Sequence, residues 1–310
     1  MGYESSALML PETLQAPHLH HLSLMGFALP IGSRLLTTAV GLITLVLIVG
    51  NPHNFFQPNT LLRWLSFMPH LETLMIAILS PVPNRDVERQ PVHIPITTHI
   101  TLPNLRRFEF REAVVRRITV PRLEKLDIWF FKQLTFSVPR LLQFINTTEN
   151  IGFGSAKFKF SMDMVHVEVY PHEAEMYALS MKVSCWHLDW QVSSAAQIFH
   201  SLSQIFSTVE HLTLEHGVHS RSSEEHSEVD RTEWRKLLRS FNNVKTLRID
   251  DGLVEELSRC LRLDDGEHPL ELLPELQELR YTGSGNTGDA FTPFIDARQN
   301  AGRAVTLVRP

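Results

Sequence analysis

The sequence predicts an α/β fold in which irregular units stack into one solenoid, with a mainly parallel sheet and helices on its convex side. Three observations predict this fold. A nine-residue phrase recurs along the chain, the end of each copy alternates apolar and polar residues, and segments with helical spacing of apolar residues stand between several copies. Strands that alternate with helices are typical of parallel sheets, because a parallel pair needs a long crossover connection.

The recurring phrase is clearest at residues 120–128, which read VPRLEKLDI. Near its end the apolar Leu126 and Ile128 alternate with charged residues, and this period of two is expected of a strand with one buried face. Pro121 fixes the backbone and cannot donate a hydrogen bond to a sheet, so it marks the position before a strand. The phrase therefore predicts a turn followed by a strand.

Copies of the phrase recur at irregular steps. Their first leucine-type positions are Leu19, Leu42, Leu71, Leu105, Leu123, Val209, Val244 and Leu276. Such self-similarity is typical of a solenoid, since one short unit cannot bury its own apolar face and needs neighbours. The L-x-x-L-x-L half of a leucine-rich repeat is present, whereas the Asn or Cys that usually follows it is absent. We therefore expect an irregular leucine-rich-repeat-like solenoid.

The same patterns predict each element in order. Strands are expected at 19–24, 42–48, 71–76, 105–110, 123–128, 177–183, 209–214, 244–249, 276–281 and 304–308, with a hairpin over 156–170. Helices are expected at 59–67, 138–147, 193–206, 230–241, 253–263 and 289–300. Three segments fall outside this alternation: 1–18 is expected to be a leader or an incomplete cap, and 80–101 and 215–230 are expected to be loops.

Composition and charge favour one solenoid domain over residues 1–310, because a chain that is 43% hydrophobic can bury a large core and a solenoid grows without splitting. The formal net charge of −5 supplies no basic face, so we expect no nucleic-acid partner. Two cysteines are too few for a disulfide framework and indicate a cytoplasmic or nuclear protein. The uncharged run 35–49 is shorter than the ~20 residues of a spanning helix, so we expect no membrane insertion.

Two patterns suggest cofactor or metal binding. Residues 283–288 read GSGNTG, but no acidic residue follows about 20 residues on, as a dinucleotide site requires. The densest histidine group is His211, His216, His219 and His226, with spacings that match no zinc pattern. Loops explain both patterns better, so we expect no cofactor and no metal. No catalytic signature is present, and we expect no enzyme activity and no catalytic residue.

A third pattern concerns aromatic residues. Trp186, Leu188 and Trp190 alternate as they would on one side of a strand. Tryptophan is enriched at the energetic centres of protein interfaces, so these residues are candidates for a partner anchor. Core packing is the alternative, and we favour it.

Several segments carry a resemblance to a known family. The repeated phrase, the irregular steps and the stretches 82–90 (VPNRDVERQ), 185–196 (CWHLDWQVSSAA) and 231–238 (RTEWRKLL) resemble fungal F-box proteins with degenerate leucine-rich repeats. The resemblance implies a non-enzymatic protein-interaction scaffold like the substrate-recognition repeats of an F-box ubiquitin-ligase receptor. It also implies that a protein substrate is the partner.

The F-box itself is not apparent. In the family this segment has an L-P-x-E-[IL]-L opening and docks a Skp-type adaptor of a cullin ubiquitin ligase, whereas residues 10–14 (LPETL) have only a passing likeness to it. We therefore expect a Skp-type adaptor and a cullin as partners only if an F-box is supplied elsewhere. The alternative is a repeat-only structural or binding protein, or a truncated gene remnant, with no ligase link.

Stacked repeats would place the side chains that flank the second and third apolar positions of each phrase on a concave face. The predicted partner-binding residues on this face are Arg107, Glu109, Lys125, Asp127, His211, Thr213, Arg248, Glu278 and Arg280. The same rule adds Thr44, Val46, Thr73, Met75 and Thr246.

Overall fold

The computed structural model of the protein describes residues 8–28, 33–49, 58–78, 99–111, 118–131, 153–172, 174–185, 187–217, 231–262, 268–282 and 290–309. These residues form an α/β structure in which most strand pairs are parallel. They divide into two compact units, the first ending at Ile128 and the second beginning at Trp129. The α/β class with a mainly parallel sheet is thereby confirmed, while the single solenoid domain stays a prediction.

The first unit is built around a parallel sheet. Its strands are β1 Leu8–Met9, β2 His21–Met25, β3 Phe27–Ala28, β4 Thr44–Val49, β5 Thr73–Ile78, β6 Ile100–Thr101, β7 Arg107–Arg111, β8 Ile118–Thr119 and β9 Lys125–Phe131, and its helices are α1 Leu35–Thr38 and α2 Pro58–Leu65. The sheet order is β2-β4-β5-β7-β9, with β1 paired to β3 and β6 to β8. Leu22, Leu45, Leu74 and Phe108 lie side by side across the first four strands of the sheet.

The second unit combines an antiparallel meander with a parallel sheet. Its strands are β10 Ser155–Phe160, β11 Met164–Tyr170, β12 Leu179–Ser184, β13 His211–His216, β14 Thr246–Ile249, β15 Glu278–Tyr281 and β16 Thr306–Val308. Its helices are α3 Leu188–Ser201, α4 Ser203–Phe206, α5 Arg231–Leu238, α6 Val254–Leu261 and α7 Thr292–Asn300. The strand order is β12-β11-β10-β13-β14-β15-β16, and β10 is parallel to β13 although antiparallel to β11.

The repeated phrase forms a four-residue turn. The backbone N–H of Leu123 donates to the carbonyl oxygen of Val120 at 3.3 Å, with Pro121 at the second turn position, where a fixed φ near −65° suits a type I or II turn. The same bond joins five other leucines of the phrase to the residue three positions before them: Leu19, Leu42, Leu71, Leu105 and Leu276. The predicted turn followed by a strand is confirmed, and the strand begins two residues after the leucine.

Strand entry follows one hydrogen-bonding pattern in both units. The carbonyl oxygen of Ile43 accepts from the N–H groups of both Glu72 and Thr73, at 2.9 and 3.0 Å. The backbone carbonyl oxygens of Glu72, Gly154, Glu210 and Lys245 accept in the same way, each from two consecutive backbone N–H groups at the start of the next parallel strand. Each strand therefore starts at the same level as its neighbour, and this sets the register of the side-chain rows.

The helices of the second unit cover one face of its sheet. In α5 the buried apolar residues are Trp234, Leu237 and Leu238, spaced as expected for a helix with one apolar side. The Trp234 ring stands edge-on to Phe160 of β10, with 5.4 Å between the ring centroids. This contact places the core between the helices and the strand residues that point toward them.

The hairpin predicted at 156–170 is confirmed as β10 and β11, and the strand predicted at 177–183 as β12. The predicted helix 193–206 is confirmed as α3 and α4, but α3 begins earlier, at Leu188. The strand interpretation of 186–190 is therefore wrong for Leu188 and Trp190. The side-chain amide of Gln191 donates to the carbonyl oxygens of Ser161 and Cys185 at 2.7 and 2.9 Å, which ties the first turn of α3 to the preceding elements.

Some predictions fall on parts of the chain that the structure does not describe. The helix expected at 138–147, the GSGNTG segment, Trp186, His219 and His226 all lie outside the described residues. Within the described part, no helix has the length and apolar character that a membrane crossing requires.

Candidate functional site

The best-defined candidate surface is the polar face of the second unit, which we define as the face of its sheet opposite the helices. Alternation along β10 buries Ala156, Phe158 and Phe160 toward the helices and turns Lys157 and Lys159 to the polar face. Strand register extends this arrangement into rows that cross the sheet. The middle row is Lys157, Thr213, Arg248, Arg280 and Val308, and the row before it is Ser155, His211, Thr246, Glu278 and Thr306.

Five of the predicted partner-binding residues meet on this polar face. His211 and Thr213 lie on β13, Arg248 on β14, and Glu278 and Arg280 on β15. The three strands are adjacent and in register, so neighbouring residues of a row stand about 4.8 Å apart along the hydrogen-bonding direction. His211, Arg248 and Arg280 are exposed. The structure therefore brings these five positions together.

The other four predicted residues lie on the sheet of the first unit. Arg107 is exposed and lies beside Thr73, while Glu109 is half-buried beside Met75. Lys125 and Asp127 form an ion pair along β9, with 3.7 Å between Nζ and Oδ2 and side chains that are only 18% and 13% exposed. The sheet of the first unit therefore presents one exposed positive charge at Arg107, whereas Lys125 and Asp127 neutralise each other.

The hairpin adds charged residues that sequence reasoning missed. Glu168 of β11 is 13% exposed, accepts a 2.9 Å hydrogen bond from the Tyr170 hydroxyl, and lies 3.8 Å from the ammonium group of Lys159. Burial, followed by the hydrogen bond to Glu168, raises the pKa of Tyr170 to about 12. The alternating pattern of 156–170 predicts the hairpin, but no local signal shows that β10 pairs with β13 and so extends the polar face.

Most charges on the polar face are neutralised by a neighbour. Lys157 Nζ lies 2.6 Å from a carboxylate oxygen of Glu215 in β13. The Arg280 guanidinium donates two hydrogen bonds to Glu278 on its own strand, and this contact lowers the pKa of Glu278. Salt bridges in such exposed places contribute little stability, so their main effect is on the charge pattern of the surface.

Arg248 differs from these residues. It is exposed, and within the described part of the chain it forms no ion pair and no hydrogen bond through its side chain. The nearest acidic position along its own strand, Asp250, is engaged elsewhere: one carboxylate oxygen accepts from the N–H of His216 and the other from the hydroxyl of Thr282. Arg248 therefore lies near the centre of the polar face with no ion-pair partner among the described residues.

Trp190 is also placed differently from the favoured interpretation. It lies in the first turn of α3, 54% exposed, with its ring edge-on to His187 at a centroid separation of 5.4 Å. Core packing is therefore wrong for Trp190. Its helix stands on the covered side of the sheet, so it is not part of the polar face.

The two cysteines are buried, and they form no disulfide. Burial, with a smaller contribution from Asp189, raises the pKa of the Cys185 thiol to about 12. Since the thiolate is the reactive form, Cys185 is protonated and unreactive near neutral pH.

We expect the native protein at pH 8 to react with Ellman's reagent much more slowly than the same protein in denaturant. Both thiols are buried, and the raised pKa of Cys185 keeps its thiol protonated. The absorbance of the released thiolate, followed over time with and without guanidinium, gives the two reaction rates and hence their ratio. Rapid release of two equivalents from the native chain would contradict the burial of both thiols.

The described residues hold no group of three or more His, Cys, Asp or Glu side chains placed to bind a metal ion. Comparison of the chain with protein-family models, with curated proteins and with solved structures yields no match.

Proposed function

We propose that this chain is a non-enzymatic protein-interaction scaffold that binds a protein substrate through the polar face of its sheet. In this proposal the two units belong to one irregular leucine-rich-repeat-like solenoid with helices on the convex side. The scaffold corresponds to the substrate-recognition repeats of an F-box ubiquitin-ligase receptor in the cytoplasm or nucleus, with a Skp-type adaptor and a cullin recruited through an F-box supplied elsewhere.

The observation that carries the proposal is the register of the polar rows. Parallel strands that start at one level align Thr213, Arg248 and Arg280 across three adjacent strands, while the opposite side chains, Leu212, Leu247 and Leu279, form an equally aligned buried row. A surface of this kind presents many side chains in fixed positions without using a loop. Rigid strands favour binding, because little backbone freedom remains to be lost on association.

The repetition of one strand-entry pattern in both units supports a common repeat. The turn that ends at Leu123 in the first unit recurs at Leu276 in the second, with N···O distances of 3.3 and 3.0 Å. Repeats of this kind stack because each buries the apolar face of its neighbour.

Affinity purification of the tagged full chain from its native host, scored by mass spectrometry, tests the proposal. We expect to recover proteins whose yield falls at least about tenfold when Arg248, near the centre of the polar face, is replaced by Glu, because reversing a charge that complements the partner changes both association and retention. The matched control is Arg63→Glu, which reverses an exposed charge on the helix α2. It should leave recovery unchanged.

The melting temperature of each variant must be compared with that of the original chain, so that a loss of stability is not mistaken for a loss of binding. Recovery of a Skp-type adaptor and a cullin would support the ligase link. Charge-dependent partners without the adaptor would favour a repeat-only binding protein. Partners that bind equally well to all three proteins would overturn the role of the polar face.

A further inference from the structure

The geometry points to Arg248 as the receptor for a carboxylate on an acidic segment of the protein partner. This inference rests on the proposed function and names the chemistry that the polar face would recognise. It is carried by the position of Arg248, by the donors around it and by the balance of charge on the adjacent strands.

Arg248 stands among unused hydrogen-bond donors. Thr213 lies beside it across the β13–β14 pair, and Thr246 lies two residues earlier on the same face of β14. Within the described residues, neither threonine hydroxyl takes part in a hydrogen bond, and both side chains are half-exposed. A guanidinium with two neighbouring hydroxyls can satisfy both oxygens of a carboxylate, since Arg–carboxylate pairs form parallel N–H···O bonds.

The charge balance decides between a carboxylate and a more highly charged group. The cations on either side of Arg248 in the row are Lys157 and Arg280, and each is already paired with a glutamate, Glu215 and Glu278. Within this row, one positive charge, that of Arg248, is left without an ion-pair partner among the described residues. A side-chain carboxylate carries one negative charge and matches it, whereas a phosphate monoester carries roughly −1.5 to −2 and would stand next to Glu215 and Glu278 in excess.

The strand register also keeps the guanidinium available. The in-register neighbour of Arg248 on β15 is Arg280, a like charge, so Arg248 gains nothing by folding toward that strand. Glu278 is held by Arg280 through two hydrogen bonds. The nearest carboxylate along its own strand, Asp250, already accepts from the N–H of His216 and the hydroxyl of Thr282, so pairing Arg248 from within would require rearranging these contacts, and an external carboxylate would not.

Selection of random linear peptides on the immobilised full-length chain tests the inference. We expect the original chain to enrich peptides with Asp or Glu at one fixed position. For a selected peptide, Arg248→Gln should raise Kd by about tenfold to a hundredfold, the loss expected when a charge-assisted hydrogen bond is removed. Thr246→Val should cause a smaller loss. Arg248→Glu should select Lys or Arg at the position that had been acidic.

The matched control is Arg63→Gln, an exposed arginine on α2 that should leave both the selected sequences and Kd unchanged. Enriched peptides without an acidic preference, or an acidic preference that survives Arg248→Gln, would overturn the inference and leave the proposed function standing. Failure of the original chain to enrich any peptide would overturn the inference, whereas the proposed function is decided by the affinity purification. If phosphoserine in place of the selected acidic residue binds more than tenfold tighter, the assignment to a carboxylate is wrong.

Discussion

Replacement of Arg298 by Met is expected to lower the free energy of unfolding by on the order of 3 kcal/mol, because several buried carbonyl groups would lose their donor. Arg298 lies in α7 with 0% of its surface exposed. Its guanidinium donates to the carbonyl oxygens of Pro274 at 2.9 Å and of Leu272 and Leu276 at 3.3 Å. These carbonyls belong to the segment that leads into β15.

The position of Arg298 links stability to the polar face. Burial lowers the pKa of its guanidinium, yet the group stays charged at neutral pH because arginine begins from a very high value. The segment that it holds continues directly into Glu278 and Arg280. We therefore expect Arg298→Met to increase amide hydrogen exchange over residues 272–281 more than elsewhere in the second unit.

Urea unfolding, monitored by tryptophan fluorescence, measures the decrease in the free energy of unfolding. Arg298→Lys and Arg303→Met are the comparison variants. Lysine has one compact ammonium and cannot reproduce the planar fork, so most of the loss should remain. Arg303 is 56% exposed and 3.7 Å from Glu275, so its replacement should change stability by less than about 1 kcal/mol. Equal midpoints for Arg298→Met and Arg303→Met would show that the buried guanidinium does not stabilise the fold.

Phe199→Ala is expected to destabilise the second unit by about 3–5 kcal/mol, the usual range for removing a fully buried aromatic ring. Phe199 of α3 contacts three other rings, with centroid separations of 4.9 Å to Phe158, 4.6 Å to Phe206 and 5.5 Å to Phe241. The first of these is on β10 and the last precedes β14, so the ring joins the meander to the parallel part of the sheet. Its removal leaves a cavity that the fixed neighbours cannot fill.

A variant that loses this much stability can fail to fold, so Phe199→Leu keeps the prediction testable. Leucine fills part of the volume, and we expect a loss smaller than that of alanine. Phe67→Ala in the first unit is the control, since that ring is 40% exposed and its loss should cost less than about 1 kcal/mol. The urea midpoint should be highest for Phe67→Ala, lower for Phe199→Leu and lowest for Phe199→Ala. A Phe199→Ala midpoint equal to that of Phe67→Ala would contradict the packing.

Much of the α/β framework could be predicted from short-range patterns. Pro121 and Leu123 predict the turn, because proline fixes φ and the leucine N–H closes the hydrogen bond. The alternation of residues 156–170 predicts the hairpin, because a strand turns successive side chains to opposite faces. The same rule assigns His211, Thr213, Arg248, Glu278 and Arg280 to one face of their strands.

The prediction from sequence is wrong where a short pattern is compatible with both a strand and a helix. Leu188 and Trp190 alternate as in a strand, but Val192, Ala195, Ala196 and Phe199 continue with the spacing of a buried helix face. The longer periodic segment determines the element, and α3 therefore begins at Leu188. Hydrogen bonds from Gln191 to residues 161 and 185 stabilise that start, and no pattern within α3 reveals such long-range partners.

By itself the sequence determined the strand phrase, the α/β class and the side of each strand that points away from the core, since these depend on residues within a few positions of one another. Only the tertiary structure decided which strands are neighbours, and hence that Lys157 is neutralised by Glu215, that Arg280 lies beside Arg248, and that Arg248 has no ion-pair partner within the described residues. The physical reason is that strand pairing is a long-range choice made by burial of the whole apolar face, to which a polar residue contributes no local signal.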